Sequence, residues 1–520
     1  MELYFKNAKN LKTITITDCM LALDEFIAVA KFGAKVEFSQ EMQENVRANR
    51  RLLDKFLEEG RIIYGVTTGF GENVRYTISP EDASALQENI VRTHSVAVGE
   101  PLTRVQARAI MLQTILNAGK GHSGIRLETL ELIRNMLNLD LIPYAPSEGS
   151  VGYLGVEAHL AMAYIGEGKI FQNGVPAPAA EVLKQHGLSP IKLACKEGLS
   201  MTNGTITVTA LGLLALYEAL STMQNVELAG GLCYEALRGT TKALDPRVHG
   251  AKHHEEQAGA ARNLLRMLDG SQICKKYRDA KVQDAYVMRC MAQVHGAAKK
   301  MLKDAYRVIV DEMHSISDNP EIFAEGEDDG VALMSGNFDG SFVAAYADFI
   351  SMACAIVGNQ VERGTDRMVN RNLNDGLPAF LVSNPGLNSG LMITQYTAAG
   401  LMDEIKHLAI PVSIDSIPTC AGQEDPVSMG YYASKKAGQC VRKLQYMTAI
   451  EIYVALQAMD FLKPLEPSPA LGKVRDFVRK KVPFVDNDRF LYPDIEYIVS
   501  LVQDGTLVEL LEREIGELEF

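Results

Sequence analysis

TITVTALGLLALYEALSTMQNVELAGGL, residues 205–232, runs for 28 positions with no proline and with apolar side chains around most of a helical circumference. The same texture returns in AYVMRCMAQVHGAAKKMLKDAYRVIVDEMHS (285–315), SFVAAYADFISMACAIVGNQVERG (341–364) and VSMGYYASKKAGQCVRKLQYMTAIEIYVALQAMDFL (427–462). Helices this apolar must be buried on several faces. A bundle within one chain could do this, and so could an oligomer built on helix packing. The expected fold class is therefore mainly α. Three regions are expected: a smaller N-terminal mixed domain over 1–200, a core of long helices over 201–465, and a C-terminal helical segment over 466–520. That last segment includes the acidic amphipathic stretch 502–520.

Outward from the helices, the N-terminal region alternates short helical patterns with turns. IIYGVTTGFGENV (62–74) holds too many glycines for a helix interior and reads as a loop. IPYAPSEGSVGYLG (142–155) is a second loop, leading into a helix near 158–166. The formal charge is −13, from 52 basic and 65 acidic side chains, which argues against nucleic acid or an anionic membrane as a partner. The eight cysteines include no C-x-x-C pair and read as thiols in a reducing cytosol. MELYFKNAKN (1–10) lacks the form of a signal peptide. No apolar run is expected to approach the roughly 18 residues of a membrane span. A cytoplasmic location is expected. His253-His254 is the only histidine pair, and no H-E-x-x-H arrangement occurs, so no metal site is expected.

Several loop motifs then fall in one order: IYGVTTGFG (63–71), LQENIVRTHS (86–95), TNGT (202–205), QDAYVMRC (283–290), SGNFDG (335–340), GLNSGLMITQYTAA (386–399), SIDSIPT (413–419) and GQEDPVSMG (422–430). Each alone is weak, but the ordered set resembles the aromatic amino acid ammonia-lyases and aminomutases, which include the histidine and phenylalanine ammonia-lyases. The resemblance implies a helical homotetramer with active sites shared between subunits. It also exposes a departure. The family has Gly-Ser-Val-Gly-Ala-Ser-Gly-Asp-Leu, whose Ala-Ser-Gly cyclises and loses water to give the electrophile methylidene-imidazolone. This chain reads Gly149-Ser150-Val151-Gly152-Tyr153-Leu154-Gly155-Val156-Glu157. Leu154 has no β-hydroxyl to lose, and Val156 stands where the assisting aspartate would be. No cofactor is therefore expected.

The resemblance also implies site residues. Tyr64 matches the general base; its alternative is a loop tyrosine packed on the core. A tyrosine with a pKa of about 10 needs positive surroundings to act as phenolate. Tyr286 matches a second pocket tyrosine, and Arg289, on the same helix face, matches the arginine that pairs with the substrate carboxylate. An interior ion pair is the alternative for Arg289. Asn203 matches a carboxylate contact, or else a helix N-cap. Phe338 matches a pocket aromatic. Glu424 matches the glutamate that touches imidazole in histidine-specific members, and His94 fits the same pocket pattern. Asp339 replaces the histidine of Asn-Phe-His-Gly and is expected at the pocket. Glu157 and His159, beside the lost tripeptide, and Lys406 read equally well as structural.

Without the electrophile, the substrate must bring its own leaving group. A quaternary ammonium does so. The chain most resembles the ergothionases, members without methylidene-imidazolone, and this implies 1,2-elimination of trimethylamine from the zwitterion ergothioneine to give thiolurocanate. Tyr64, Tyr286 and Glu424 would be catalytic. His94, Asn203, Arg289, Phe338 and Asp339 would bind substrate, the last two beside the trimethylammonium. A hercynine lyase, a catalytically silent binding or scaffold protein, and an ammonia-lyase with another electrophile remain open alternatives.

Overall fold

The computed structural model describes residues 3–326 and 329–520. The protein is mainly helical, as the sequence leads one to expect. The helices that bear on the site are numbered in chain order: α1 (Ala83–His94), α2 (Gly155–Tyr164), α3 (Glu197–Thr202), α4 (Ile206–Ala236), α5 (Tyr286–Arg289), α6 (Met291–Met313), α7 (Ser341–Val369) and α8 (Gly430–Asp460). The chain divides into two compact units, each drawn from three segments. The first takes Met1–Tyr217, Tyr306–Asp348 and Pro411–Lys435; the second takes Glu218–Ala305, Phe349–Ile410 and Lys436–Phe520.

All eight short strands among the described residues lie in the first unit, as four two-stranded sheets. β1 (Thr13–Ile16) pairs parallel with β2 (Lys35–Phe38). The antiparallel pairs are β3 (Val98–Pro101) with β4 (Pro146–Glu148), β5 (Lys169–Gln172) with β6 (Val175–Pro178), and β7 (Glu321–Ala324) with β8 (Gly330–Leu333). These isolated pairs do not join into a layer. A small apolar cluster of Leu53, Phe56, Ile63, Val66 and Ile322 anchors the start of the 62–74 loop. Helices α1, α2 and α3 pack on one another, and their ends carry the motifs read above.

The second unit has its own apolar core. Leu232, Tyr234, Leu264, Met267, Tyr453, Leu456, Leu471 and Val474 are all fully buried there. Several of its buried polar groups are paired: the Tyr453 hydroxyl donates to Asp494 at 2.9 Å, and Glu235 accepts from the Ser271 hydroxyl at 2.6 Å and the Ser468 amide at 2.8 Å. Pairing of this kind keeps buried polar groups from destabilising the core.

One sequence expectation is corrected. Two helical stretches, Glu197–Ala236 and Ser341–Val369, are long and apolar enough to cross a membrane by length and composition. The most apolar windows are 83% and 56% buried inside the protein, so the apolar surface of the first is already covered by its own fold. The reading failed because scattered Thr, Gly and Gln break a run of apolar letters without making a helix polar. The cysteines form no disulfide among the described residues. Cys420 is exposed and lines the candidate site.

Candidate active site

The first unit holds a cavity of about 710 Å³, lined by residues from loops that the sequence reading singled out. Tyr64, His94, Asn203, Phe338 and Glu424 all line it. Each is set by a local cause. In the 62–74 loop, Thr67, which replaces the family's asparagine, accepts from the Ile63 amide through Oγ1 at 2.8 Å, and the Thr68 hydroxyl oxygen accepts from the Gly65 amide at 3.1 Å. The loop closes on Tyr64, whose hydroxyl oxygen accepts the Gly71 N–H at 2.9 Å. Gly71 sits at φ +53°, and a Cβ there would lie 2.5 Å from Cys420 Sγ, so only glycine brings this donor close.

Gln87 ties this loop to the rest of the site. It is fully buried on α1; its amide donates to Gly65 O at 2.9 Å, and its oxygen accepts from the Leu199 amide on α3 at 3.1 Å. His94 ends α1. Asn203 follows the last turn of α3 and donates to Asn319 O at 3.3 Å. It is 7% exposed, and its place after α3 is not that of an N-cap to that helix. Beneath it, Lys196 and Asp318 form a fully buried ion pair at 2.5 Å, and Asp318 accepts from the Asn319 amide at 2.7 Å. Glu424 lies in a tight loop, with its carboxylate accepting from the Thr419 hydroxyl at 2.8 Å.

The degenerate tripeptide forms one wall. Tyr153 is 7% exposed and meets Phe338 edge to face, with ring centroids 5.6 Å apart. Leu154 has φ 74° and ψ −60°, and the Gly155 amide donates to Tyr153 O at 3.0 Å. This is a γ-turn of the rarer, strained hand, which costs a β-carbon-bearing residue about 1–3 kcal/mol. It is held by bonds on both sides: Leu154 N to Thr202 O, and Ala158 N to Leu154 O, each 3.0 Å. The side chains do not fit methylidene-imidazolone. Leu154 offers no hydroxyl, and the buried Val156 offers no carboxylate.

The electrostatics are those of a negative, aromatic cleft. No lysine or arginine lines it among the described residues. Burial, opposed by the Gly71 N–H and reinforced by Glu424, raises the Tyr64 phenol above its ordinary value. Burial together with the charges of Glu424 and Asp339 raises Tyr153 further. Burial depresses His94, partly offset by the Ile90 carbonyl and Glu424, which favours neutral imidazole.

Three expected site residues fall outside the cavity lining. Asp339 is exposed and accepts from the Ser341 amide at 3.0 Å at the start of α7; its charge reaches Tyr153, but its side chain does not line the cleft. Tyr286 and Arg289 belong to the second unit on α5. Tyr286 is 70% exposed; Arg289 stacks on its ring at 4.7 Å and donates to Gln283 at 2.7 Å. Lys406 is exposed on the helix Met392–Leu408 of the second unit. The sequence reading missed Gln87, Asn319 and Cys420, and saw Tyr153 only as a loss. Gln87 and Tyr153 both lay inside quoted motifs.

Glu157 turns inward instead. It is 2% exposed, with Oε1 accepting from the Thr207 amide at 3.3 Å and Oε2 without a partner. Burial pushes its carboxyl up to about 7, from an ordinary 4.5. A raised carboxyl contributes stability below its unfolded pKa and loses it as pH rises through the folded one. Stability is therefore expected to fall between about pH 5 and about pH 8 by on the order of 3 kcal/mol from this group. Thermal melts of Glu157→Gln should show that slope flattened; an unchanged slope would assign it elsewhere.

Comparison with known proteins decides the lineage. The model of the family described as "Aromatic amino acid lyase" matches residues 21–480. The chain belongs to the aromatic amino acid lyase family. A histidine ammonia-lyase of Symbiobacterium thermophilum is 42% identical over 96% of this chain and 98% of its own length. The crystal structure of histidine ammonia-lyase from Trypanosoma cruzi aligns with a TM-score of 0.90 at 36% identity, covering 97% of this chain and 96% of that one. The ergothionase of Treponema denticola aligns with a TM-score of 0.88 but at 24% identity, covering 96% of this chain and all of that one, a likeness of fold alone. This overturns the expectation of trimethylamine release from ergothioneine. Relatives near 40% identity over nearly the whole chain are histidine ammonia-lyases. A missing hydroxyl constrains the chemistry of the amine; it does not select a sulfur-bearing betaine, and no residue of the cavity had been read as a sulfur contact.

Proposed function

We propose that this aromatic amino acid lyase is a carbon–nitrogen lyase acting on histidine, and that it works without methylidene-imidazolone. The observation that carries the reading is the meeting of Tyr64, His94, Asn203, Phe338 and Glu424 on one cavity, in a chain 42% identical to a histidine ammonia-lyase. Glu424 and His94 offer an acceptor and a neutral imidazole to a ring that has both a donor and an acceptor nitrogen. Asn203 offers an amide to a carboxylate. Tyr64, with the Gly71 N–H at its oxygen, is the group placed to take the β-proton. The absence of the serine hydroxyl at position 154 supports the second half of the reading.

We further propose a homotetramer in which Tyr286 and Arg289 reach the cavity of a neighbouring copy. The exposure of Tyr286, and the place of both residues outside the cavity of their own chain, support this, and Arg289 would supply the forked donor a carboxylate needs. Incubation of the purified protein with histidine should release ammonia together with a conjugated acid absorbing in the near ultraviolet, in equal amounts. Absence of both products at millimolar histidine would overturn the reading.

A further inference from the structure

A phenol becomes a base only where something favours its anion. At Tyr64 the Gly71 N–H does so, at 2.9 Å, while burial, Glu424 and Cys420 all oppose it. Among the described residues no lysine or arginine of this chain lines the cleft to tip the balance, and the Arg289 proposed to enter from a neighbouring copy would be engaged by the substrate carboxylate. What the cleft does offer is a seat for a mobile one. The rings of Tyr153 and Phe338 stand edge to face at 5.6 Å, and Glu424 supplies a carboxylate on the same cavity. Aromatic faces beside a carboxylate attract an ammonium ion, the more so out of water. Tyr153 stands where the family has alanine, and the bend at Leu154 fixes the backbone that carries its ring.

We propose that Tyr153, with Phe338, seats the α-ammonium group of the substrate on the cavity whose negative charge comes from the ring-binding Glu424, and that this ammonium is the positive charge that turns Tyr64 into a base. The proposal rests on the reading that the substrate is histidine. The groups that face Tyr64 are Glu424 and Cys420; those that face Tyr153 are Glu424, Asp339 and Cys420; His94 faces Glu424. Once the ammonium is seated, Tyr64 gives its phenolic proton to solvent. Its oxygen then takes the β-proton. The C–H electron pair becomes the Cα–Cβ π bond, and the C–N bond breaks with its pair kept on nitrogen. The amine, protonated throughout, leaves as neutral ammonia. Seating the amine as a cation thus serves both the base and the leaving group, in place of a covalent electrophile.

The test is the ionisation of tyrosine, followed by ultraviolet difference absorbance after rapid mixing of the full chain with histidine or with imidazolepropionate. Both ligands carry the ring and the carboxylate, so any effect of Arg289 on the carboxylate is common to them; only histidine carries the ammonium. Histidine is expected to lower one tyrosine midpoint by at least about one pH unit, and imidazolepropionate is not. The signal should vanish in Tyr64→Phe and be lost in Tyr153→Ala that melts like the parent; Phe338→Leu provides the same check if Tyr153→Ala does not fold. Equal shifts with both ligands, no shift with histidine, or a shift kept in these two wall variants would overturn the proposal. A shift without product formation would leave this inference standing and remove histidine turnover; product without a shift would do the reverse.

Discussion

Turnover of histidine is expected to fall by about 10²–10⁴-fold when Tyr64 is replaced by phenylalanine, the range over which a positioned general base acts. The substitution removes one oxygen and leaves the ring, so packing of the loop residues Ile63 and Val66 on Leu53, Phe56 and Ile322 should survive. It also strands the Gly71 N–H, whose acceptor is that oxygen. A stranded donor on a half-buried loop costs about 1–3 kcal/mol of local stability at most. The two effects separate in the data. Loss of the base lowers kcat with KM little changed, whereas a disordered loop would raise KM for histidine and for competitive ligands alike. A variant with unchanged kcat would remove Tyr64 from the chemistry.

The second large effect concerns the wall. Tyr153→Ala, Leu154→Ser and Val156→Asp together restore the family's Ala-Ser-Gly-Asp run. The backbone is already tightly bent at this tripeptide, with the Gly155 N–H donating to the Tyr153 carbonyl oxygen at 3.0 Å and bonds to Thr202 and from Ala158 holding the bend. What is missing is side-chain chemistry alone. The restored chain is expected to lose water on maturation, visible by intact mass and as new near-ultraviolet absorbance. Its histidine turnover is expected to rise by at least about 10²-fold, equivalent to roughly 3 kcal/mol of barrier. Position 156 is fully buried, so the new carboxylate carries a desolvation penalty and the melting temperature should drop. A folded triple variant with the parent's unmodified mass would show that the loop geometry, not only its side chains, has departed from the family.

The fold class was legible because long helices with apolar circumference leave few other packings, and 205–232 and 341–364 did become helical. Unit boundaries were less so: a reading along the chain yields contiguous segments, whereas each compact unit takes three separated ones. Tyr64, His94, Asn203, Phe338 and Glu424 were legible through ordered motifs, and they do converge on one cavity. Asp339 was placed in the pocket because it replaces the histidine of the family's Asn-Phe-His-Gly, but its carboxylate turns to the Ser341 amide at the start of α7. Gln87 escaped notice because a buried amide bridging a loop and a distant helix leaves no signature in spacing. Its partners, Gly65 and Leu199, lie 22 and 112 residues away. The substrate reading went astray because one deleted function at Leu154 was made to specify a whole molecule.

The bend at Leu154 bears on affinity as well as on ancestry. Its strain is fixed by bonds internal to the first unit, from Thr202 on one side and Ala158 on the other, so it is present before any ligand arrives. The free energy of holding it is subtracted from folding, not from association. Tyr153 therefore meets an incoming molecule as a finished surface, with no loop ordering left to oppose binding. In kinetic terms the wall is pre-formed, and the association rate should be set by the entrance to the cleft rather than by rearrangement of this segment.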